Sequence, residues 1–122
     1  MILGVINGNI NMKVSKETMK ALNGSIKKWR DIVSGKGTDE GGDNCPLCQM
    51  FPFCEGCPVM DKTGEEGCEK TPYCAWIDAA DFYYQQNCCY KALVTKDQPV
   101  RKAAAQAMLD FLKDLKKECK VQ

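Results

Sequence analysis

Five cysteines fall within 24 residues: Cys45-Pro46-Leu47-Cys48, five residues, Cys54-Glu55-Gly56-Cys57, then ten residues beginning with Pro58 before Cys68. A Cys-x-x-Cys unit turns two thiols toward one point, and two such units supply the four thiolates that tetrahedral zinc takes. The spacing therefore predicts a metal held by four of Cys45, Cys48, Cys54, Cys57 and Cys68, with zinc as the first expectation. The gap between the units is shorter than in a common zinc ribbon, so the ligands need not be the first four in order, and Cys68 can replace one of them. An iron–sulfur cluster is the alternative cofactor. The Cys57-Pro58 step ends the second unit as in bacterial ferredoxins, although the consecutive Cys-x-x-Cys-x-x-Cys core of that motif is missing. Dithiol redox chemistry comes third, because nothing before Cys45 reads as the strand that precedes a thioredoxin-type pair.

Nine cysteines stand against no histidine. Without imidazole there is no Ser-His-Asp or Cys-His nucleophile pair and no mixed Cys/His zinc site. A closed four-thiolate zinc has no open coordination position, so it holds a fold and performs no reaction. No catalytic residue is assigned, and the expectation is a protein that is not an enzyme. The adjacent Cys88-Cys89 could form a redox or extra ligand pair, but free cysteine commonly behaves as a small buried hydrophobe. Core packing is the reading preferred for Cys88, Cys89, Cys74 and Cys119, with Cys74 near enough in sequence to be a spare ligand.

The elements that must hold this loop are few. The 122 residues make one domain with 24 Val, Ile, Leu and Phe, close to the fifth of a chain below which a packed core becomes doubtful. Such a core usually needs a metal, disulfides or a partner. The expected fold is mainly α, with about three helices around the cysteine-rich loop, 45–74. Val5-Ile6-Asn7-Gly8-Asn9-Ile10 carries an Asn-Gly turn between apolar residues, so 1–11 is either part of a small β-hairpin or a loose arm. Ser15 is a favoured N-cap, and Met19, Leu22, Ile26, Trp29 and Ile32 recur at helical spacing, predicting a helix over 15–34. Gly24 inside it should cost about 1 kcal/mol against Ala. That implies either a loose helix or close approach of another backbone.

Gly35 to Asn44 reads as a connector. Thr71-Pro72 is a helix start, and Tyr73, Trp76, Ile77, Ala80, Tyr84 and Cys88 would form the apolar side of a second helix. Lys96-Asp97-Gln98-Pro99 repeats the start signal, and Ala104, Met108, Phe111, Leu112, Leu115 and Cys119 share one face of the last helix. Residues 72–122 thus read as a helical hairpin.

Charge narrows the partners. The net charge of +1 hides segregation: 1–37 carry +5, 38–81 carry −8 and 82–122 carry +4. Knuckles that bind nucleic acid set Lys and Arg beside the metal to meet phosphates, whereas this loop is acidic. Nucleic acid therefore remains an alternative only through the basic outer helices, whose lysines otherwise form a solvated face. The acidic middle suits a basic patch on another macromolecule, for instance a protein's nucleic-acid channel. Phe51, Phe53, Tyr83 and Tyr84 are the candidate partner-contact residues, since three consecutive aromatics on one helix cannot all be buried. Packing of Met50, Phe51 and Phe53 onto Trp29 and Trp76 is the other reading of the loop aromatics. Met1 to Ile10 lacks the basic start and cleavage site of a signal peptide, and no run approaches the roughly 18 apolar residues of a membrane span. A cytoplasmic location with reduced thiols and no membrane contact is expected.

The string Cys45-Pro46-Leu47-Cys48, Cys54-Glu55-Gly56-Cys57-Pro58-Val59, Thr63-Gly64, Gly67-Cys68, Thr71-Pro72-Tyr73 and Trp76 resembles a cysteine-cluster pattern recurring in small bacteriophage and prophage proteins. Ala21-Leu22-Asn23-Gly24-Ser25-Ile26-Lys27-Lys28-Trp29 is similar to their leading helix. The resemblance implies a phage or prophage source, location in the host cytoplasm, and a metal-held loop on Cys45, Cys48, Cys54, Cys57 and Cys68. It carries no particular activity. The functional expectation is a zinc-stabilised, helical module that binds a host or phage protein, as an inhibitor of a host defence or nucleic-acid enzyme would. The alternatives are a nucleic-acid-associated regulator and an iron–sulfur or dithiol redox protein.

Overall fold

A computed structural model of the chain describes residues 12–65, 68–79, 83–84, 90–93 and 99–122, with 83–84 and 90–93 described by their backbone alone. Strand β1 is Met12–Val14, helix α1 Lys16–Val33, strand β2 Thr38–Asp39, helix α2 Pro46–Met50, helix α3 Pro58–Thr63 and helix α4 Tyr73–Ala79. Strands β3 (Tyr83–Tyr84) and β4 (Tyr90–Leu93), helix α5 (Pro99–Glu118) and strand β5 (Cys119–Val121) follow. The architecture is mainly helical with small β elements, as expected, although five α-helices rather than three lie among the described residues.

Helix α1 starts as its sequence dictates: Ser15 Oγ accepts the Thr18 N–H at 3.0 Å, satisfying one of the donors a helix start leaves open. Leu22, Ile26, Trp29 and Ile32 lie buried along one side. The helix stops at Ser34-Gly35, where Gly35 takes φ 81 and its N–H reaches the Ile32 carbonyl at 3.0 Å. A left-handed residue at that position closes a helix with least strain when it is glycine. Helix α5 packs on α1 and α4, burying Ala104, Ala105, Met108, Leu109, Leu112 and Leu115. Leu22, Ile32, Leu112 and Leu115 are each at most 1% exposed, and full burial of such a side chain contributes about 1.5–3 kcal/mol.

Strands β1 and β5 run parallel, with Met12 opposite Cys119 and Val14 opposite Val121. The start of the described chain is thereby tied to its end, and Gln122 donates its N–H to the Val14 carbonyl at 3.0 Å. The hairpin or arm expected over 1–11 lies outside the described residues, but the strand after it pairs with residues 119–121. Cys119 is buried as expected, though in a strand and not on the helix face.

The helical hairpin expected over 72–122 is replaced by a different arrangement. Helix α4 ends at Ala79, whose carbonyl accepts from Nε of the buried Arg101 at 3.2 Å. Tyr83–Tyr84 and Tyr90–Leu93 then pair antiparallel, and β4 also pairs with β2 through Thr38 opposite Leu93 and Asp39 opposite Ala92. Aromatic residues suit a pleated surface at least as well as a helix, and here the pairing with β2 decides. The expectation of Tyr83 and Tyr84 on a helix is thus overturned, while Cys88 and Cys89 lie outside the described residues. Among the described residues no helix is long and apolar enough to cross a membrane.

Candidate metal centre

Three stretches of chain bring the five cysteines to one place. The first is the start of α2. Cys45 is its N-cap, and the Cys45 sulfur accepts the Cys48 backbone N–H at 3.3 Å. Ser25 Oγ, on α1, lies 3.9 Å from the same sulfur. The stretch is pinned to α1 by Leu47, 2% exposed, and by Pro46. A Cβ at Gly24 would stand 2.9 Å from Pro46 Cγ. The mid-helix glycine is therefore explained by close approach, with a proline ring as the neighbour.

The second stretch turns tightly at Phe53 and Cys54, both left-handed with φ 60 and φ 65. Such backbone costs an L-residue roughly 1–2 kcal/mol and persists only where the surroundings impose it. Gly56 follows with φ 84, and a Cβ there would press on the Phe51 ring at 3.3 Å. Cys57 is buried at the start of α3, where it is the N-cap residue before Pro58. The third stretch carries Cys68, again left-handed at φ 64. Buried Thr71 holds it: its hydroxyl donates to the Cys68 carbonyl at 2.7 Å and accepts the Tyr73 N–H at 3.1 Å. That second bond makes Thr71 part of the start of α4, as its sequence signal predicts.

Cys45, Cys48, Cys54, Cys57 and Cys68 all line one cavity of about 250 Å³. None of the seven described cysteines forms a disulfide. Lys28, Trp29, Phe51, Met108 and Leu112 contribute to the same wall, which is mostly apolar. The thiols feel one another. Cys45 is drawn down to about 6, first because the Cys48 thiol donates to it and then through the Cys48 N–H and the Lys28 charge, against the opposing effect of burial. Cys48 is pushed far up by holding that shared proton and by burial. Burial pushes up Cys57, and it pushes Cys68 up to about 12, with the charges of Cys45 and Cys54 adding to both. Among the described residues, however, no group of three or more Cys, Asp or Glu is gathered closely enough to hold a metal ion.

Cys74 does not join the group. It is exposed, and its thiol donates to the Glu69 carbonyl at 2.7 Å, so the core-packing expectation for Cys74 is overturned: the first turn of α4 faces it outward. Of the candidate contact residues, Phe51 is partly buried against the core, whereas Phe53 is 85% exposed. Met50 is 37% exposed, so of the three loop residues Met50, Phe51 and Phe53 it is Phe51 that packs against the core. Ile77, expected on the apolar side of α4, is 47% exposed at the cavity rim, while Trp76 is fully buried.

The sequence reading missed the support beneath the cavity. Asp39, in the supposed connector, is fully buried. Its Oδ1 accepts Lys28 Nζ at 2.8 Å and the Gly41 N–H at 3.0 Å, and its Oδ2 accepts the Tyr73 hydroxyl and Trp76 Nε1, each at 2.8 Å. Lys28 also reaches the Gly41 carbonyl at 3.2 Å and lies 5.4 Å from the Trp29 ring centroid, within cation–π range. The only sequence signals were Lys28 on the first helix and a Trp needing an acceptor. Comparison of the chain with protein families, with curated proteins and with solved structures found no match.

Proposed function

We propose that the chain is a non-enzymatic binding module whose cysteine loop is stapled by a metal held on thiolates of the five-cysteine cavity. The observation that carries this reading is the convergence of Cys45, Cys48, Cys54, Cys57 and Cys68, from three separate stretches, on one cavity wall. The donor set fits a thiophilic metal: all five are sulfur, and the Cys48 backbone N–H already meets the Cys45 sulfur, as happens where a thiolate must be stabilised. The metal would supply a crosslink between chain segments that share little apolar core, and its binding energy would count as folding energy. Lys28 places a positive charge beside thiolates that carry net negative charge with a divalent ion.

Binding is assigned to the outer side of the same loop. Phe53 stands exposed between the two Cys-x-x-Cys units, and Asp43, Glu55, Asp61 and Glu69 are exposed around the loop. An aromatic contact ringed by acids suits a basic protein surface, such as the nucleic-acid channel of an enzyme. An inhibitor encoded by a phage would carry such a surface.

Thermal unfolding of the protein before and after metal stripping under reducing conditions tests the staple. The melting temperature should fall by several degrees on stripping and return when metal is restored. An unchanged transition contradicts the reading.

A further inference from the structure

We infer that the five-cysteine cavity is built for a polynuclear iron–sulfur cluster and not for a single ion. The inference rests on the metal-staple reading and names what the thiolates hold. The observation that leads to it is the space the cysteines surround. The sulfurs of a tetrahedral zinc stand about 3.8 Å apart at Zn–S distances of about 2.3 Å, a shell with no room for even one water. The cavity that the five cysteines help to line is about 250 Å³, the liquid volume of about eight waters, which is room for a cluster whose irons each take one thiolate.

The rest of the wall agrees. Trp29, Phe51, Met108 and Leu112 give the space an apolar side, which shields a cluster from water, and the Cys48 backbone N–H reaches the Cys45 sulfur, a recurring means of stabilising cluster thiolates. Cys54 and Cys68 are held in left-handed backbone at φ 65 and φ 64, a strain that bonds to a cluster would offset. Four of the five cysteines each release a proton to solvent as their sulfur bonds iron; the fifth keeps its proton.

The test uses the whole chain without a metal-binding tag, expressed with iron supplied and purified without oxygen. Iron, zinc and acid-labile sulfide are measured per chain together with the visible absorption spectrum. The expected result is iron and sulfide in equal amounts, about four of each, with broad visible absorption that bleaches on reduction. Metal-free protein given ferrous iron and sulfide should regain the same spectrum. A colourless protein with about one zinc per chain, and no sulfide uptake on reconstitution, overturns the cluster and leaves the staple standing. Protein that takes up neither metal overturns both. Cys74→Ser, outside the cavity, should keep the spectrum, whereas Cys68→Ser should lose more than half of its intensity. If Cys68→Ser fails to fold, the sulfide content of the unaltered chain still decides.

Discussion

Lys28 Nζ lies 2.8 Å from Asp39 Oδ1, with the two side chains 8% and 0% exposed. The pair joins the face of α1 that meets the cysteine loop to strand β2. Because the Asp39 carboxylate also receives Tyr73 and Trp76, one buried anion ties α1, β2 and α4 together. The edge-on packing of Trp29 against Trp76, with centroids 5.3 Å apart, and against Tyr73, 5.8 Å apart, completes the floor beneath the cavity.

Removing one partner of a buried, hydrogen-bonded pair leaves the other charge uncompensated and costs about 3–5 kcal/mol. Asp39→Ala should lower unfolding stability by that amount in urea. Lys28→Met should also destabilise, and the double variant should cost clearly less than the sum of the two. Additive costs would show that the pair does not act as a unit.

Gly24 gives a prediction opposite to helix propensity. Ala in place of a mid-helix Gly normally gains about 1 kcal/mol, but here the new methyl would meet Pro46 Cγ at 2.9 Å. Gly24→Ala should therefore fail to stabilise, and Gly24→Val should cost about 2 kcal/mol or more by displacing the segment that bears Cys45 and Cys48. The exposed neighbour provides the control: Asn23→Ala should be neutral or stabilising by a few tenths of a kcal/mol. Urea unfolding curves of the three variants distinguish these outcomes.

The thiols set a pH window for the metal-free protein. Cys45 is lowered from 9.0 to about 6 in the folded chain, so between those values the folded state has released a proton that the unfolded state keeps. Its contribution is present above pH 9 and is lost as pH falls through about 6. Cys57, Cys68 and Cys119 are raised from 9.0 by burial. Above pH 9 the unfolded chain ionises at these positions while the folded chain does not, and stability falls. The urea midpoint of reduced, metal-free protein should rise from pH 6 to near 9 and then decline. A flat profile across pH 6–9 would contradict the assigned state of Cys45.

Phe53 combines left-handed backbone with 85% exposure. Glycine accepts φ 60 without the roughly 1–2 kcal/mol that an L-residue incurs there, offset in part by its greater freedom when unfolded. Phe53→Gly should thus be more stable by about 0.5–1 kcal/mol in urea while weakening binding to the protein partner. A loss of stability would show that the Phe53 ring supports the fold.

Much of this was legible in the sequence. The Ser15 cap and the three-and-four spacing through Ile32 marked α1 within a residue at each end, and the periodicity from Ala104 to Leu115 marked α5, because both helices bury one continuous stripe. The five cysteines that the spacing groups also line one cavity, since short-range knuckles are local geometry. Asp39 was not legible: a lone acid between Gly37 and Gly41 reads as solvated, and only the donors arriving from Lys28, Tyr73 and Trp76 make its burial favourable. Tyr83–Tyr84 was misread for a similar reason, as the strand Tyr90–Leu93 that pairs with it, and pairs in turn with β2, cannot be inferred from local pattern. Gly24 was noticed but not assigned a neighbour, because the contact with Pro46 spans 22 residues of chain.

The central claim is that Cys45, Cys48, Cys54, Cys57 and Cys68 form one thiolate metal centre. Metal content per chain of untagged protein, measured for the unaltered chain, for each single Cys→Ser change at these positions and for Cys74→Ser, tests it most directly. The account predicts a stoichiometric centre in the unaltered chain and in Cys74→Ser, and loss of more than half the metal in at least four of the five cavity variants. A metal-free unaltered chain, or metal content indifferent to these substitutions, would contradict it.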